Sequence, residues 1–184
     1  MSELASSSQL RFSFIRWALF LVPGVLLLGF LSGALAGSGP DNPWFASLVK
    51  PSLYPPPSAF GIVWSVLYVA MGLAAAMVVS ARGARLRERA AIAFAVQLVL
   101  NLAWSPLFFG AHQITWALVL LIALDAALVV TVWLFWRVRP LAGALMLPYL
   151  AWALFATVLN WEFRTANPGA DGQEVSGAVT RIEL

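Results

Sequence analysis

Five stretches of the chain are apolar and long enough to cross a lipid bilayer. They lie at roughly 17–36, 60–80, 90–110, 114–136 and 141–161, and Asp125 is the one charged residue inside them. A transmembrane helix needs about 20 such residues, so the pattern predicts an all-α membrane protein, a five-transmembrane-helix bundle. The links after the second, third and fourth stretches are short, which predicts that those helices pack as antiparallel neighbours.

The segments outside these stretches differ from one another in composition. Residues 1–16 precede the transmembrane domain at 17–164, and residues 165–184 are polar without periodicity, which predicts a disordered tail. The link at 37–59 is rich in proline and glycine, which favours extended or turn geometry. It is either a surface linker or a lid over the helix ends. Its aromatic residues favour the lid, because a tether needs none; these are Trp44, Phe45 and Tyr54.

Composition excludes several classes of protein. With 61% hydrophobic and 10% charged residues, the chain has too few charges to cover the surface of a soluble domain. Cysteine is absent, which excludes disulfides and thiolate metal sites, and the single histidine, His112, excludes a multi-histidine metal site. No metal site and no nucleic-acid partner are expected. His112 follows Gly110 closely in a predicted loop, where solvent exposure is the simplest expectation.

Basic residues concentrate on one side of the predicted membrane domain. Eight lie in the N-terminal segment and in the second and fourth links, against three elsewhere: Arg11, Arg16, Arg82, Arg85, Arg87, Arg89, Arg137 and Arg139 against Lys50, Arg164 and Arg181. The bias predicts an N-terminus on the Arg-rich side, cytoplasmic in a bacterial inner membrane. The preference for Arg, Ala and Gly is typical of a bacterial genome. Inner and outer membrane are not distinguished.

The third stretch carries a polar face. Gln97, Asn101 and Trp104 are spaced i, i+4 and i+7, which places them on one side of a helix. Polar residues in transmembrane helices face the bundle interior or a cavity. One interpretation is that the two amides join neighbouring helices by hydrogen bonds. The indole favours the other interpretation, a cavity for a flat aromatic ligand.

Two further features leave alternatives open. Asp125 is costly within hydrocarbon, so it either makes a hydrogen bond across helices or faces a wet cavity, with the hydrogen bond favoured over a proton relay. Gly29 and Gly33 form a GxxxG pattern in the first stretch. Such a pattern permits close helix approach, either within the bundle or across a dimer.

Several stretches together resemble a known family. They are WFASLVKPS with a later PP, VWSVLYVAMG, QLVLNLAWSPLFFG, WALV at 116–119 and PYLAWALFATVLN at 148–160. In order and spacing they are similar, over about residues 44–164, to the translocator protein family, also called the peripheral benzodiazepine receptor or tryptophan-rich sensory protein (TspO/MBR) family. The resemblance implies a five-helix bundle, often dimeric. It also implies binding of porphyrins, heme-like tetrapyrroles, sterols in some members, and synthetic isoquinoline or benzodiazepine ligands.

The resemblance also implies where the ligand lies, in a cavity among the helices beneath the first link. Carried over by position, the ligand-lining residues are Phe60, Gly61, Trp64, Asn101, Trp104, Trp116, Trp152, Ala156, Leu159 and Trp161, with Gln97 and Tyr68 as neighbours. The chain departs from the family at Leu53 and Ser58, where tryptophan is common. Trp161 also replaces a tyrosine, which breaks the family's sterol motif, and such motifs are weak in any case.

Three functions follow from these expectations. The leading one is a membrane receptor or sensor for protoporphyrin IX or a related tetrapyrrole, with porphyrin or heme as ligand and no cofactor required. A porphyrin or sterol transporter is weaker, because no internal repeat is visible and Asp125 stands alone. The third is a light-dependent porphyrin-degrading enzyme with Trp64 and Trp161 as redox-active indoles, although no acid–base pair supports ordinary turnover. Membrane lipid and a second copy of the chain, in a homodimer, are the other partners implied.

Overall fold

Six α-helices make up the described part of the chain. The structure, a computed structural model, describes residues 7–173, and the helices are α1 (Ser7–Leu35), α2 (Pro43–Ser47), α3 (Pro57–Ser80), α4 (Arg87–Ser105), α5 (Ile114–Val138) and α6 (Pro140–Ala166). A π-helical turn at Pro106–Gly110 extends α4. Five of the helices are long and apolar enough to span a bilayer. The predicted five-helix membrane bundle is therefore confirmed, and the protein is an integral membrane protein.

Helix boundaries differ from the predicted ones mainly at the two ends of the bundle. Helix α1 begins at Ser7, well before residue 17, because no proline or glycine interrupts the chain ahead of Pro23. Helix α6 continues to Ala166 rather than ending near residue 161. Hydropathy marks the part of a helix that lies in hydrocarbon, whereas the helix itself ends where its backbone hydrogen bonds end.

The helices pack around a core that α3 and α6 share with α4 and α5. Its fully buried side chains include Met71 on α3, Leu124 and Leu128 on α5, and Met146 and Tyr149 on α6. Helix α3 packs more extensively against α1 and α6 than against its sequence neighbour α4. Helices α3 and α4 are still in contact, and both contribute residues to one cavity.

Glycines set the closest helix contacts. A Cβ atom at Gly72 would lie 2.6 Å from the Cα of Val22, so α1 and α3 meet there backbone to backbone. A Cβ atom at Gly29 would overlap the ring of Tyr68 on α3. This glycine of the GxxxG pattern therefore serves packing within the bundle. At Gly33 the nearest atoms belong to Ser38, at 3.8 Å or more, so no helix approaches it closely.

The link at 37–59 covers one end of the bundle. Its short helix α2 departs from the extended geometry that its prolines predict, because Pro43 occupies the first helical position, where proline is favoured, and Asn42 caps the helix. The Asn42 Oδ1 accepts a hydrogen bond from the Phe45 N–H at 2.9 Å. Its Nδ2 donates to the Phe109 carbonyl at 3.3 Å, which ties this segment to the π-helical turn. We call residues 37–59 the lid.

Lys50 closes the other end of α2. Its ammonium group donates to the carbonyls of Phe45 and Leu48, the latter at 2.9 Å, and lies 4.3 Å from the centre of the Phe45 ring. A cation at a helix C-terminus satisfies carbonyls that lack an intrahelical partner. Partial burial lowers the pKa of Lys50. The one lysine of the chain is thus a structural part of the lid.

Residues 167–173 run across the lid as a strap. Asn167 pairs with the backbone of Val49 in both directions, accepting from its N–H at 2.7 Å and donating to its carbonyl at 3.0 Å. The indole N–H of Trp44 donates to the carbonyl of Ala170 at 3.2 Å. Each of these bonds joins positions more than a hundred residues apart in the sequence. The strap therefore holds the lid onto α6.

The far end of the strap fixes the link between the π-helical turn and α5. Asp171 accepts hydrogen bonds from both the backbone N–H and the hydroxyl of Thr115. The backbone N–H of Gly172 donates to the carbonyl of His112 at 2.9 Å, and the His112 Nδ1 lies 3.0 Å from the Gln173 carbonyl. His112 itself has a φ of 57° and stacks on Trp44 with ring centres 4.7 Å apart, so it is packed rather than freely solvated.

The strap differs from the disordered tail expected from residue 165. Residues 165 and 166 complete α6, and residues 167–173 form turns bonded to the lid and the α5 link. The rest of the predicted tail, at 174–184, lies outside the described residues. A polar sequence without periodicity does not reveal the strap, because the strap is held by tertiary hydrogen bonds rather than by a hydrophobic pattern.

The close contact at Gly72 gives a test of the packing between α1 and α3. We expect Gly72→Ala to destabilise the protein by about 1–3 kcal/mol, because the added methyl group must displace backbone. Gly61→Ala on the same helix is the matched control, since nothing lies within 4 Å of its Cβ position. Thermal unfolding in detergent measures both. Equal melting midpoints for the two variants would contradict the assigned contact.

The strap gives a second test, which needs no ligand. Asn167→Ala removes two hydrogen bonds to Val49, so we expect amide hydrogen exchange in the lid to accelerate roughly tenfold. Thr165→Ala is the control, because its hydroxyl bonds only to the Glu162 carbonyl within α6. Exchange is followed by mass spectrometry on peptides covering residues 43–50. Unchanged exchange in the Asn167 variant would show that the strap does not hold the lid.

Candidate ligand-binding cavity

A cavity of about 410 Å³ lies under the lid, enclosed by α1, α3, α4, α5 and α6. Pockets that bury small organic ligands measure about 300–1,000 Å³, so this volume suits one. Its walls are mostly aromatic and aliphatic, with a few amide and hydroxyl groups. No Asp, Glu, Lys or Arg is among the described residues that line it. A ligand in this space is held by apolar and aromatic contact and by neutral hydrogen-bonding groups.

Two stacked aromatic pairs form parts of the wall, one on each of two helices. On α3, Trp64 stacks on Tyr68 with ring centres 5.0 Å apart. From α4 and its π-helical turn, Trp104 stacks on Phe108, also at 5.0 Å. The π-helical turn begins at Pro106, whose ring prevents a regular continuation of α4, and it points Phe108 and Phe109 into the cavity region. Such rings are rigid and present flat surfaces to a ligand.

The lid supplies aromatic rings at the top of the cavity. Phe45 and Tyr54 both line it, and Tyr54 lies 5.5 Å from Phe60, measured between ring centres. Phe60 in turn makes an edge contact with Trp152 at 5.9 Å, which links the lid to α6. Burial raises the pKa of Tyr54, so its hydroxyl keeps its proton and can act as a hydrogen-bond donor.

Two amide side chains provide the polar points. The Asn101 Oδ1 accepts a hydrogen bond from the Tyr68 hydroxyl at 3.4 Å, and both residues line the cavity. Asn160 accepts from the indole N–H of Trp104 at 3.3 Å and donates to the Ile114 carbonyl at 2.9 Å. The indole of Trp104 therefore has its N–H satisfied by protein. Asn101 serves both proposed roles at once, because it joins α4 to α3 and also faces the cavity.

Most of the residues carried over from the family resemblance meet at this cavity. Eight of the ten line it: Phe60, Gly61, Trp64, Asn101, Trp104, Trp152, Ala156 and Leu159. The neighbour Tyr68 lines it as well. Gln97 does not, although it lies one turn from Asn101 on the same face. It is fully buried, and neither atom of its amide group has a hydrogen-bond partner within residues 7–173.

Trp116 and Trp161 are placed elsewhere, which corrects the expectation that they line the same cavity. Their side chains are 62% and 54% exposed on the outside of the bundle. The reason is helical phase: Trp161 follows the buried Asn160, and Trp116 precedes the buried Ala117, so each indole points about 100° away from an inward-facing neighbour. Exposed indoles at these helix ends suit the membrane interface. Trp64 and Trp161 therefore do not face one ligand together.

The sequence did not single out several lining residues. Helix α1 contributes Gly29, Phe30, Gly33 and Ala34, and α6 adds Asn160 and Phe163. Asn160 could have been found, since it is an amide within a transmembrane stretch, like Asn101. In α1, the sequence marked Gly29 and Gly33 only for helix packing and did not mark Phe30 or Ala34, because the family resemblance begins at residue 44.

Asp125 takes no part in the cavity. Its Oδ2 accepts a hydrogen bond from the Thr157 hydroxyl at 2.7 Å, which joins α5 to α6. The carboxyl group is not among the atoms that line the cavity. The hydrogen bond across helices is thus the alternative that the structure shows for this residue.

The sequence of the chain is similar to those of known proteins. The profile of the TspO/MBR family matches residues 20–165, which include the lid and at least part of each of the five membrane-spanning helices. The human translocator protein is 42% identical over 137 residues, which cover 73% of this chain and 80% of that protein. A tryptophan-rich sensory protein of Cereibacter sphaeroides is 37% identical over 82% of this chain and 92% of its own length. Protein CrtK of Rhodobacter capsulatus is 35% identical over 75% and 87%. The chain belongs to the TspO/MBR family.

Proposed function

We propose that this protein is a membrane receptor or sensor that binds a tetrapyrrole, protoporphyrin IX or a heme-like relative, in the cavity under the lid. The observation that carries the proposal is the pairing of two stacked aromatic walls around an uncharged space. A relative is named a tryptophan-rich sensory protein, and its name supports the sensing role without stating a ligand.

The chemistry of the walls favours a flat, largely apolar ligand. Indole and phenol rings bind such a molecule through their faces, and Trp64 and Trp104 each offer one to the cavity. The amide of Asn101 and the hydroxyls of Tyr54 and Tyr68 can bond to ring nitrogens or carbonyl groups. Because the described lining holds no cation, the carboxylates of a porphyrin belong at the cavity mouth, in contact with water.

The contacts between the cavity and the lid favour a sensing function over a catalytic one. A ligand touches Phe45 and Tyr54, and Phe45 belongs to α2, which the strap holds through Val49 and Trp44. Occupancy of the cavity is therefore coupled to the position of the lid, the surface by which a bound state can be recognised. A porphyrin-degrading enzyme that uses both Trp64 and Trp161 as redox-active indoles is disfavoured, because Trp161 lies on the outside of the bundle.

Asn101→Leu tests the cavity assignment. We expect it to weaken the binding of protoporphyrin IX about tenfold, because one neutral hydrogen bond and the pairing with Tyr68 are lost. Binding is titrated in the dark by the quenching of tryptophan fluorescence. Gln97→Leu is the matched control: it lies one turn away, fully buried and outside the cavity lining, so its dissociation constant should equal that of the wild type.

The same titration distinguishes the competing functions. A stable porphyrin spectrum under light supports a receptor, whereas protein-dependent loss of the porphyrin bands would support the enzyme. An unchanged dissociation constant for Asn101→Leu would place the ligand outside this cavity. An equal weakening in both variants would indicate a general effect on α4 rather than a contact with the ligand.

We propose further that the Arg-rich end of the bundle faces the cytoplasm of a bacterial inner membrane, with the lid outside. The absence of cysteine makes single-cysteine labelling a direct test. In intact cells, a membrane-impermeant maleimide should label Leu53→Cys on the lid but not Arg85→Cys on the link between α3 and α4. The reverse pattern would contradict the proposed orientation.

A further inference from the structure

A second cleft lies at the end of the bundle away from the lid. It measures about 490 Å³ and is lined by Arg11 and Phe14 of α1, Met77 and Ser80 of α3, and residues 139–141 at the junction of α5 and α6. None of these residues belongs to the cavity under the lid. Three helices that are distant in sequence thus enclose a separate space.

The cleft lies where the membrane hydrocarbon meets the headgroup region. Arg11, Ser80 and Pro140 are the terminal residues of three membrane-spanning stretches, and all three line it. Side chains at this depth contact lipid phosphates on one side and acyl chains on the other. A molecule bound in the cleft is therefore in reach of the bilayer without leaving it.

Two guanidinium groups give the cleft its charge. Arg11 belongs to α1, and Arg139 lies between α5 and α6. Among residues 7–173, no Asp or Glu lines the cleft and neither arginine makes a salt bridge. Arginine binds phosphate through paired N–H donors in a fixed planar geometry. Two guanidinium groups at one cleft, without an acidic partner among residues 7–173, are complementary to a phosphate group.

The remainder of the cleft is apolar. Phe14, Met77 and Leu141 line it beside the arginines, and the Ser80 hydroxyl is occupied by the Met77 carbonyl at 3.1 Å. A free phosphate ion would leave these apolar side chains without a partner, whereas a lipid covers them with the start of its acyl chains. We propose that this cleft is a binding site for an anionic phospholipid, with its phosphate between Arg11 and Arg139.

A lipid in this position acts on α1. Helix α1 packs chiefly against α3, and it also supplies one wall of the cavity under the lid. Arg11 belongs to α1 and Arg139 precedes α6, so a bridging phosphate joins the start of α1 to the start of α6. The bound lipid thereby stabilises the packing of α1, which gives the site a thermal readout independent of any cavity ligand.

The test uses the full chain in neutral detergent. Dihexanoyl phosphatidylglycerol should raise the melting midpoint saturably, while dihexanoyl phosphatidylcholine, with the same acyl chains and no net charge, should raise it far less. Inorganic phosphate at equal concentration should have no effect. Equal shifts with the two lipids would overturn the role of charge. A shift with phosphate alone, as large as with the anionic lipid, would overturn the lipid in favour of a free anion.

Variants then locate the site. Arg11→Gln with Arg139→Gln should weaken the response to the anionic lipid roughly 30-fold, from the usual effect of two basic residues at a membrane surface. Arg85→Gln with Arg89→Gln removes the same charge at the same end of the bundle, outside the cleft, and should change the response less than twofold. Equal losses in both double variants would reduce the effect to general charge attraction and overturn the proposal. If a variant does not fold, the comparison of the two lipids on the wild-type protein still tests the proposal.

Discussion

A bilayer offers no water to polar groups, and every level of this structure answers that constraint. Backbone amides are satisfied inside helices, so the apolar stretches fold as five spans. Three pairs of polar side chains within those spans bond across helices: Thr157 to Asp125, Tyr68 to Asn101, and Trp104 to Asn160. Since helices gain little from the hydrophobic effect in lipid, close contact such as that of Gly72 with Val22 supplies the remaining adhesion.

Two of these polar pairs, Tyr68 with Asn101 and Trp104 with Asn160, belong to the wall of the cavity, together with the aromatic stacks. The stacked rings on α3 and α4 make further contacts within the protein: Trp104 donates a hydrogen bond to Asn160, and Trp64 packs against Tyr149, whose ring centre lies 6.1 Å away. A wall whose hydrogen bonds are already made keeps its shape without a ligand, which lowers the free-energy cost of binding. The lid is held in the same way, by hydrogen bonds of Asn42, Lys50 and the strap.

Hydropathy and spacing predict the fold well, because a run of about 20 apolar residues has few alternatives in a chain this poor in charge. The cavity was predictable in part. Asn101 and Trp104 follow from helical spacing, whereas Trp161 was misplaced because positions matched by resemblance carry no information about rotation around the helix axis. The strap could not be predicted, since Asn167 and Asp171 acquire their order from partners more than 50 residues away.

The two ends of the bundle are built for different surroundings, and α1 connects them. At the lid end, Gly29 and Phe30 of α1 line an uncharged aromatic space that is closed by hydrogen bonds to the strap. At the other end, Arg11 of the same helix and Arg139 line a second cleft. Helix α1 packs mainly against α3, and its internal Pro23 follows Val22, which makes the backbone contact with Gly72. Under the two proposals, the cavity ligand and the bound lipid both contact α1, so each would act on the packing of α1 against α3, which includes the backbone contact between Gly72 and Val22.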